Sequence, residues 1–88
     1  MRNLYFQRSN GEYLLIKENV PTEVEALHEI SMFLDRHNYT SYYTRSWREG
    51  DAMVYDVGSW SEFFKWASAA AVNPVGTEEN FIDRRVNQ

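Results

Sequence analysis

The sequence predicts an α+β domain in the order ββαββα, in which an antiparallel sheet of two hairpins packs against a long helix and a second, short aromatic helix follows. Asn10-Gly11 separates two apolar-rich segments, a pattern typical of a β-hairpin. Residues 21–38 repeat apolar side chains at helical spacing. The aromatic segment 39–47 is followed by turn residues and a second strand-like segment, which predicts another hairpin.

The first hairpin is predicted to turn at Asn10-Gly11, because this dipeptide readily adopts the positive φ angles of a type I′ turn. That turn sets Arg8 opposite Tyr13, Phe6 opposite Leu15 and Leu4 opposite Lys17. The two faces of the hairpin are then Leu4, Phe6 and Leu15 on one side and Tyr5, Leu14 and Ile16 on the other. Both faces are apolar, so the sequence leaves open which one points inward.

The long helix is predicted to begin after Thr22, which stands in the N-cap position with Glu25 three residues later as its capping-box partner. Asn38 suits a left-handed residue at the C-terminal end. The expected core-facing stripe consists of Val24, Leu27, Ile30 or Ser31, and Leu34. This stripe is expected to pack on the sheet.

The second hairpin is predicted to turn at Gly50-Asp51. With these two residues at the centre, Arg45 lies opposite Asp56 and Trp47 opposite Val54, and Tyr43 shares the face of Trp47. We therefore expect an ion pair between Arg45 and Asp56. Tyr42 and Tyr55 fall on the other face of the same hairpin.

Residues 59–72 are predicted to form the second helix, with Ser59 as N-cap and Glu62 as its partner. The helical stripe consists of Trp60, Phe63, Phe64, Ala67 and Ala71. Trp66 falls on a different side of this helix and is expected to stay partly exposed. We predict a single domain over residues 1–72, with residues 73–88 forming either a tail or a short docked helix.

The composition excludes several classes of protein. The 88 residues carry a net charge of −4 and contain no cysteine. Bulk binding to a phosphate backbone normally needs a clustered excess of Lys and Arg, so nucleic acid is the less favoured partner. His28 and His37 lack a paired metal-ligand spacing, and we predict neither a metal nor another cofactor. No apolar segment approaches a membrane span, and we expect a cytoplasmic protein that does not insert into a membrane.

Two blocks of the sequence carry a family resemblance. SYYTRSW at residues 41–47 and YDVGSWSEFF at residues 55–64 resemble a group of small uncharacterised proteins encoded by tailed phages and prophages of Gram-positive bacteria. In that group His-Thr commonly stands where this chain has Trp60-Ser61. The resemblance implies a phage accessory role in the cytoplasm of a bacterial host, and it implies no catalytic residue.

The favoured hypothesis is a non-enzymatic protein-interaction module that binds a host or phage protein, or a second copy of itself. Its candidate interaction residues are Tyr42, Tyr43, Arg45, Trp47, Tyr55 and Trp66, because Tyr, Trp and Arg dominate interface hot spots. Two alternatives remain open. Tyr42, Tyr43, Arg45, Trp47 and Arg48 could form a stacking surface for single-stranded nucleic acid. Acid–base chemistry could use Asp56 with Tyr43 or His37, although the pattern gives no catalytic site and we predict that the protein is not an enzyme.

Overall fold

The computed structural model describes residues 1–39, 45–58 and 61–81 of the chain. Six strands and one α-helix make up most of this part. Their bounds are β1 Arg2–Gln7, β2 Tyr13–Lys17, α1 Glu23–Arg36, β3 Arg45–Glu49, β4 Ala52–Asp56, β5 Phe63–Ser68 and β6 Gly76–Thr77. Single 3-10 turns at Ala69–Ala71 and Glu78–Asn80 follow β5 and β6.

All six strands belong to one sheet in the order β3-β4-β5-β1-β2-β6. The neighbouring strands are antiparallel except β2 and β6, which run parallel. Helix α1 covers one face of the sheet, so the α+β prediction is confirmed. The two predicted hairpins are both present, but β5 lies between them as a strand that the sequence did not predict.

The first hairpin has a longer turn than predicted. Arg8 donates its N–H to the Glu12 carbonyl, and Gly11 takes a positive φ of 91° at the end of the three-residue loop. Such a loop closes with a glycine in the left-handed region and shifts the pairing by one residue relative to a type I′ turn. Phe6 therefore pairs with Leu14 and not with Leu15.

The changed register settles which face of the first hairpin points inward. A bulge between Leu4 and Tyr5 restores the predicted pairing of Leu4 with Lys17. Between the turn and the bulge, alternation places one apolar set under α1 and the other on the opposite face. The helix side receives Leu4, Phe6, Leu14 and Ile16, and the opposite face receives Tyr5, Tyr13 and Leu15.

Helix α1 begins as predicted, but the face it turns to the sheet is only partly the predicted one: Ile30 is buried and Leu34 packs against the core as expected. The Thr22 hydroxyl accepts the N–H of Glu25 at 3.2 Å, and Asn38 adopts a positive φ of 58° after the last turn. The buried stripe is Ala26, Ile30 and Phe33. Val24 and Leu27 are 77% and 42% exposed, so the prediction that they face the core is wrong. Ala26 and Phe33, both fully buried, take the places in the core that the sequence assigned to Val24 and Leu27.

The predicted second helix over residues 59–72 is wrong where the structure describes this segment, because Phe63–Ser68 is strand β5. Its side chains alternate, with Phe64 and Trp66 toward α1 and Phe63 and Ala67 on the opposite face. Pairing with β1 on one edge and β4 on the other satisfies the backbone of β5 on both sides. This tertiary pairing outweighs the local capping pattern. The predicted N-cap residue and the tryptophan after it, residues 59 and 60, lie outside the described residues.

The segment after β5 packs against the same core. Val72 is buried against the face opposite α1, while β6 pairs with β2. Phe81 makes edge-on ring contacts with Phe6 and Phe33, each at a centroid distance of 5.0 Å. The described part of the segment 73–88 is therefore docked on the domain, and its residues 82–88 lie outside the described part.

Candidate interaction surface

The face of the sheet opposite α1 is here called the helix-free face, since no α-helix of the described residues packs on it. Alternation along each strand brings every second side chain to it. Its members include Asn3, Tyr5 and Gln7 of β1, Tyr13 and Leu15 of β2, Arg45, Trp47 and Glu49 of β3, Ala52, Val54 and Asp56 of β4, and Phe63, Lys65 and Ala67 of β5. Among the described residues, Val72 packs on one end of this face, and several of its longer side chains, Trp47, Phe63 and Lys65 among them, are half-buried.

Trp47 and Phe63 form an aromatic pair at the β3 side of this face. Their ring centroids lie 5.8 Å apart with the rings nearly perpendicular. Both side chains are half-buried, and Val54 on the strand between them is only 3% exposed. The aromatic pair therefore lies over the buried Val54 side chain while part of each ring stays at the surface.

Arg45 connects this aromatic pair to β4. Its guanidinium donates to the Asp56 carboxylate at 3.1 Å and lies 5.5 Å from the centre of the Trp47 ring. Asp56 is buried and also accepts the N–H of Gly58 at 2.9 Å. The predicted Arg45–Asp56 pairing and ion pair are confirmed.

Lys65 stands at the centre of the helix-free face, between β4 and β1. Its ammonium donates to the Tyr13 hydroxyl at 3.3 Å and lies 3.5 Å from the Glu49 carboxylate. Burial lowers the pKa of Lys65, but the contacts with Tyr13 and Glu49 outweigh it and raise that pKa above its ordinary value. The side chain thus stays charged at neutral pH, and the cation is balanced by Glu49.

Tyr55 and Trp66, two of the predicted interaction residues, lie on the other side of the sheet. Tyr55 is 1% exposed and donates its hydroxyl to Glu23 of α1 at 3.0 Å. Burial, together with Glu23, raises the pKa of the Tyr55 phenol well above its usual range. Trp66 is half-buried and donates its indole N–H to the Val20 carbonyl at 2.9 Å. The prediction that Tyr55 is a surface anchor is therefore wrong. Trp66 is partly exposed as expected, and its role as an interaction residue stays a prediction.

The remaining predicted residues divide into two groups. Arg45 and Trp47 lie together on the helix-free face, as predicted from their positions two residues apart on the same strand. Tyr42 and Tyr43 lie outside the described residues. Phe63 and Lys65 were not predicted to reach this face, because residues 63–68 were assigned to a helix. Their alternation with Phe64 and Trp66 was the signal in the sequence that indicates a strand.

Of the residues proposed for acid–base chemistry, Tyr43 lies outside the described residues, and Asp56 and His37 have different partners among the described ones. Asp56 is bonded to Arg45 and Gly58, whereas His37 at the end of α1 lies 2.8 Å from the Glu78 carboxylate. Glu78 also receives two hydrogen bonds from Arg36, at 2.9 and 3.0 Å. Burial alone would raise the pKa of Glu78, but the hydrogen bonds from Arg36 and His37 hold it below its ordinary value. This cluster fastens the turn after β6 to the end of α1.

Neither a metal-binding cluster nor a membrane-spanning helix occurs in the part of the chain that the structure describes. Within residues 1–39, 45–58 and 61–81, His, Asp and Glu side chains do not gather in a group of three that could hold a metal ion. In the same part of the chain, no helix has both the length and the apolar character needed to cross a membrane.

Comparison with protein-family models, with curated proteins and with solved structures gave no match to this chain.

Proposed function

We propose that this protein is a small phage accessory protein that works in the cytoplasm of a bacterial host as a non-enzymatic protein-interaction module. The observation that carries the proposal is the half-buried Trp47–Phe63 pair, which lies beside the buried Val54 on the helix-free face. Protein interfaces commonly place aromatic and Arg side chains at the centre of a patch and polar groups around it. Trp47 and Phe63, with Arg45 and Glu49 beside them, have this composition.

The charges of the helix-free face support a protein partner over a polyanion. Arg45 is neutralised by Asp56, and Lys65 is neutralised by Glu49. A surface that binds a phosphate backbone needs cations in excess of anions, because affinity comes largely from release of counterions. A neutral patch with apolar rings at its centre is better suited to a protein surface.

One contact favours single-stranded nucleic acid as a second candidate partner. The Arg45 guanidinium lies over the Trp47 ring, so a stacking side chain and a cation are adjacent on the same strand. Base stacking on an aromatic ring contributes about 1–3 kcal/mol per base. The second candidate uses the same two residues as the first, so one experiment can separate them.

The test is affinity capture of the tagged protein from a Gram-positive host lysate, with and without nuclease. Trp47→Ala and Phe63→Ser should each remove a nuclease-resistant, stoichiometric protein partner. The matched control is Leu27→Ser, which removes an apolar side chain that is 42% exposed on α1 and should leave the capture unchanged. Circular dichroism establishes that all three variants are folded.

Two outcomes would contradict the proposal. Recovery of nucleic acid that is abolished by nuclease and by Trp47→Ala would favour the stacking surface. Loss of a protein partner on Leu27→Ser, but not on Trp47→Ala, would assign the interaction to the outer face of α1.

A further inference from the structure

We infer that two copies of this protein pair through β3, antiparallel and centred on Trp47, to join their sheets across a two-fold axis. This inference rests on the proposed role as an interaction module and names a second copy of the chain as the partner. Strand β3 is the terminal strand of the sheet, and in the described part of the chain its ladder partner is β4. A terminal strand presents a row of backbone donors and acceptors that can pair with another chain.

The turn between β3 and β4 determines which backbone groups face outward. Glu49 pairs with Ala52 across the two-residue turn, in which Gly50 has a positive φ of 59°. The residues that flank such a turn are hydrogen-bonded to each other, and hydrogen-bonded pairs alternate along an antiparallel ladder. Counting back from Glu49, the backbone N–H and C=O groups of Ser46 and Arg48 point away from β4.

This alternation allows only registers that set an outward-facing residue of one copy opposite an outward-facing residue of the other. Centring the pairing on Trp47 sets Ser46 opposite Arg48 in both directions and satisfies the outward groups of both strands. Centring it on Arg48 sets two arginines directly opposite each other, which is repulsive. Centring it on Ser46 carries Arg48 past Arg45, the first residue of β3 in the second copy, so Arg48 has no partner in that strand.

Charge favours the register centred on Trp47. The strand reads Arg-Ser-Trp-Arg-Glu from residue 45 to 49. In this register Arg45 of each copy lies opposite Glu49 of the other, so two pairs of opposite charge flank the axis. Charged side chains usually protect a terminal strand from association. Here they are complementary to the same strand running in reverse.

The side chains at the axis belong to the candidate interaction surface. Trp47 would face Trp47 of the second copy at a pair without mutual hydrogen bonds, where the strands bring side chains closest together. Arg45, Trp47 and Glu49 all lie on the helix-free face. Pairing would therefore join the two helix-free faces into one continuous surface, with both Trp47–Phe63 pairs near its middle.

Sedimentation velocity on the pure protein, from about 1 µM to about 1 mM, tests the inference. Glu49→Arg sets arginine opposite Arg45, and Arg45→Glu sets glutamate opposite Glu49, so each variant alone should dimerise at least about tenfold more weakly than the wild type. An equimolar mixture of the two variants should recover the lost affinity, because both flanking pairs again combine opposite charges. Glu18→Arg is the matched control: it makes the same charge change just beyond β2, at the opposite side of the sheet, and should dimerise like the wild type.

Ser46→Pro tests the backbone pairing separately from the charges. Proline removes an N–H that faces away from β4, so the fold should survive while the dimer is lost. Circular dichroism and the unfolding midpoint verify that each variant is folded.

A wild type that is monomeric at about 1 mM would overturn the inference. A mixture of Glu49→Arg and Arg45→Glu that associates no better than either variant alone would overturn the register. Capture of a different protein through Trp47 and Phe63 by a monomeric wild type would leave the proposed function standing, so the two failures are distinguishable.

Discussion

The two faces of the sheet are both apolar, but they are closed in different ways. On the helix side, α1 and Phe81 cover Phe6 and Phe64, which are 4% and 0% exposed. On the helix-free face, Val54 and Ala67 are also buried; in the described part of the chain Val54 lies between half-buried Trp47 and Lys65, and Ala67 packs with Val72. One sheet with one described helix can bury only one face in this way. The helix side therefore holds most of the fully buried apolar packing of the described residues, and we expect association to add burial on the helix-free face.

The largest expected effect contrasts one aromatic side chain from each face. Phe33 is fully buried and contacts Phe6, Phe64 and Phe81, so Phe33→Ala should lower the free energy of unfolding by about 3–5 kcal/mol. Phe63 is half-buried, and Phe63→Ala should lower it by about 1–2 kcal/mol. Urea unfolding at neutral pH measures both values. Equal losses of unfolding free energy in the two variants would show that both faces contribute alike to stability, and would contradict the difference between them.

A smaller effect concerns the bond between α1 and the sheet. Tyr55→Phe removes the hydrogen bond to Glu23 and should lower the free energy of unfolding by about 1 kcal/mol at pH 7. The raised pKa of Tyr55 also makes this contribution depend on pH. Above about pH 10 the phenol ionises in the unfolded chain but stays protonated in the folded one, so wild-type stability falls as the pH rises.

Urea unfolding of the wild type and of Tyr55→Phe at several values between about pH 8 and about pH 11 measures this difference. The variant lacks the phenol and should lose less stability over the same interval. Identical pH profiles for the two proteins would contradict the assignment of the raised pKa to Tyr55.

The smallest effect concerns the turn after β6, which closes one end of the helix side. Glu78→Gln should lower the free energy of unfolding by about 0.5–1 kcal/mol at pH 7, because Arg36 and His37 lose a charged acceptor. The lowered pKa of Glu78 means that its contribution is present above about pH 4.5 and is lost as the pH falls through the folded-state pKa.

Acid unfolding of the wild type, of Glu78→Gln and of the exposed neighbour Glu79→Gln tests this expectation. The Glu78 variant should have the flatter stability profile below about pH 5. If Glu79→Gln flattens the profile as much, the effect comes from general charge and not from the cluster with Arg36 and His37.

The sequence predicted those parts of the fold that local chemistry determines. The two-residue turn at Gly50-Asp51 specified the complete β3–β4 register, and Thr22 specified the start of α1. The first hairpin was predicted with a register error, because a glycine with positive φ serves both a type I′ turn and the three-residue loop that forms. Strand β5 was missed because its capping pattern and aromatic spacing also suit a helix, and its strand partners lie far away in sequence.

The candidate site was predictable only in part for the same reason. Arg45 and Trp47 were predicted to share a face because both lie on a hairpin with a defined register. Phe63 and Lys65 reach that face only through the pairing of β5 with β1 and β4, which no local pattern specifies. Tyr55 was correctly placed on the face opposite Trp47, but its burial depends on where α1 packs.

The central position of β1 has a consequence for the way the protein is made. Its neighbour β5 comes late in the chain, and Arg2 pairs with Ser68. Contacts between such distant residues slow folding, because a long loop must close before they form. During synthesis β1 and β2 leave the ribosome before β5. The backbone groups along the edge of β1 that pair with β5 therefore stay unpaired until β5 follows. Unpaired strand edges make a folding chain prone to aggregation, so the emerging chain is most vulnerable until β5 is available.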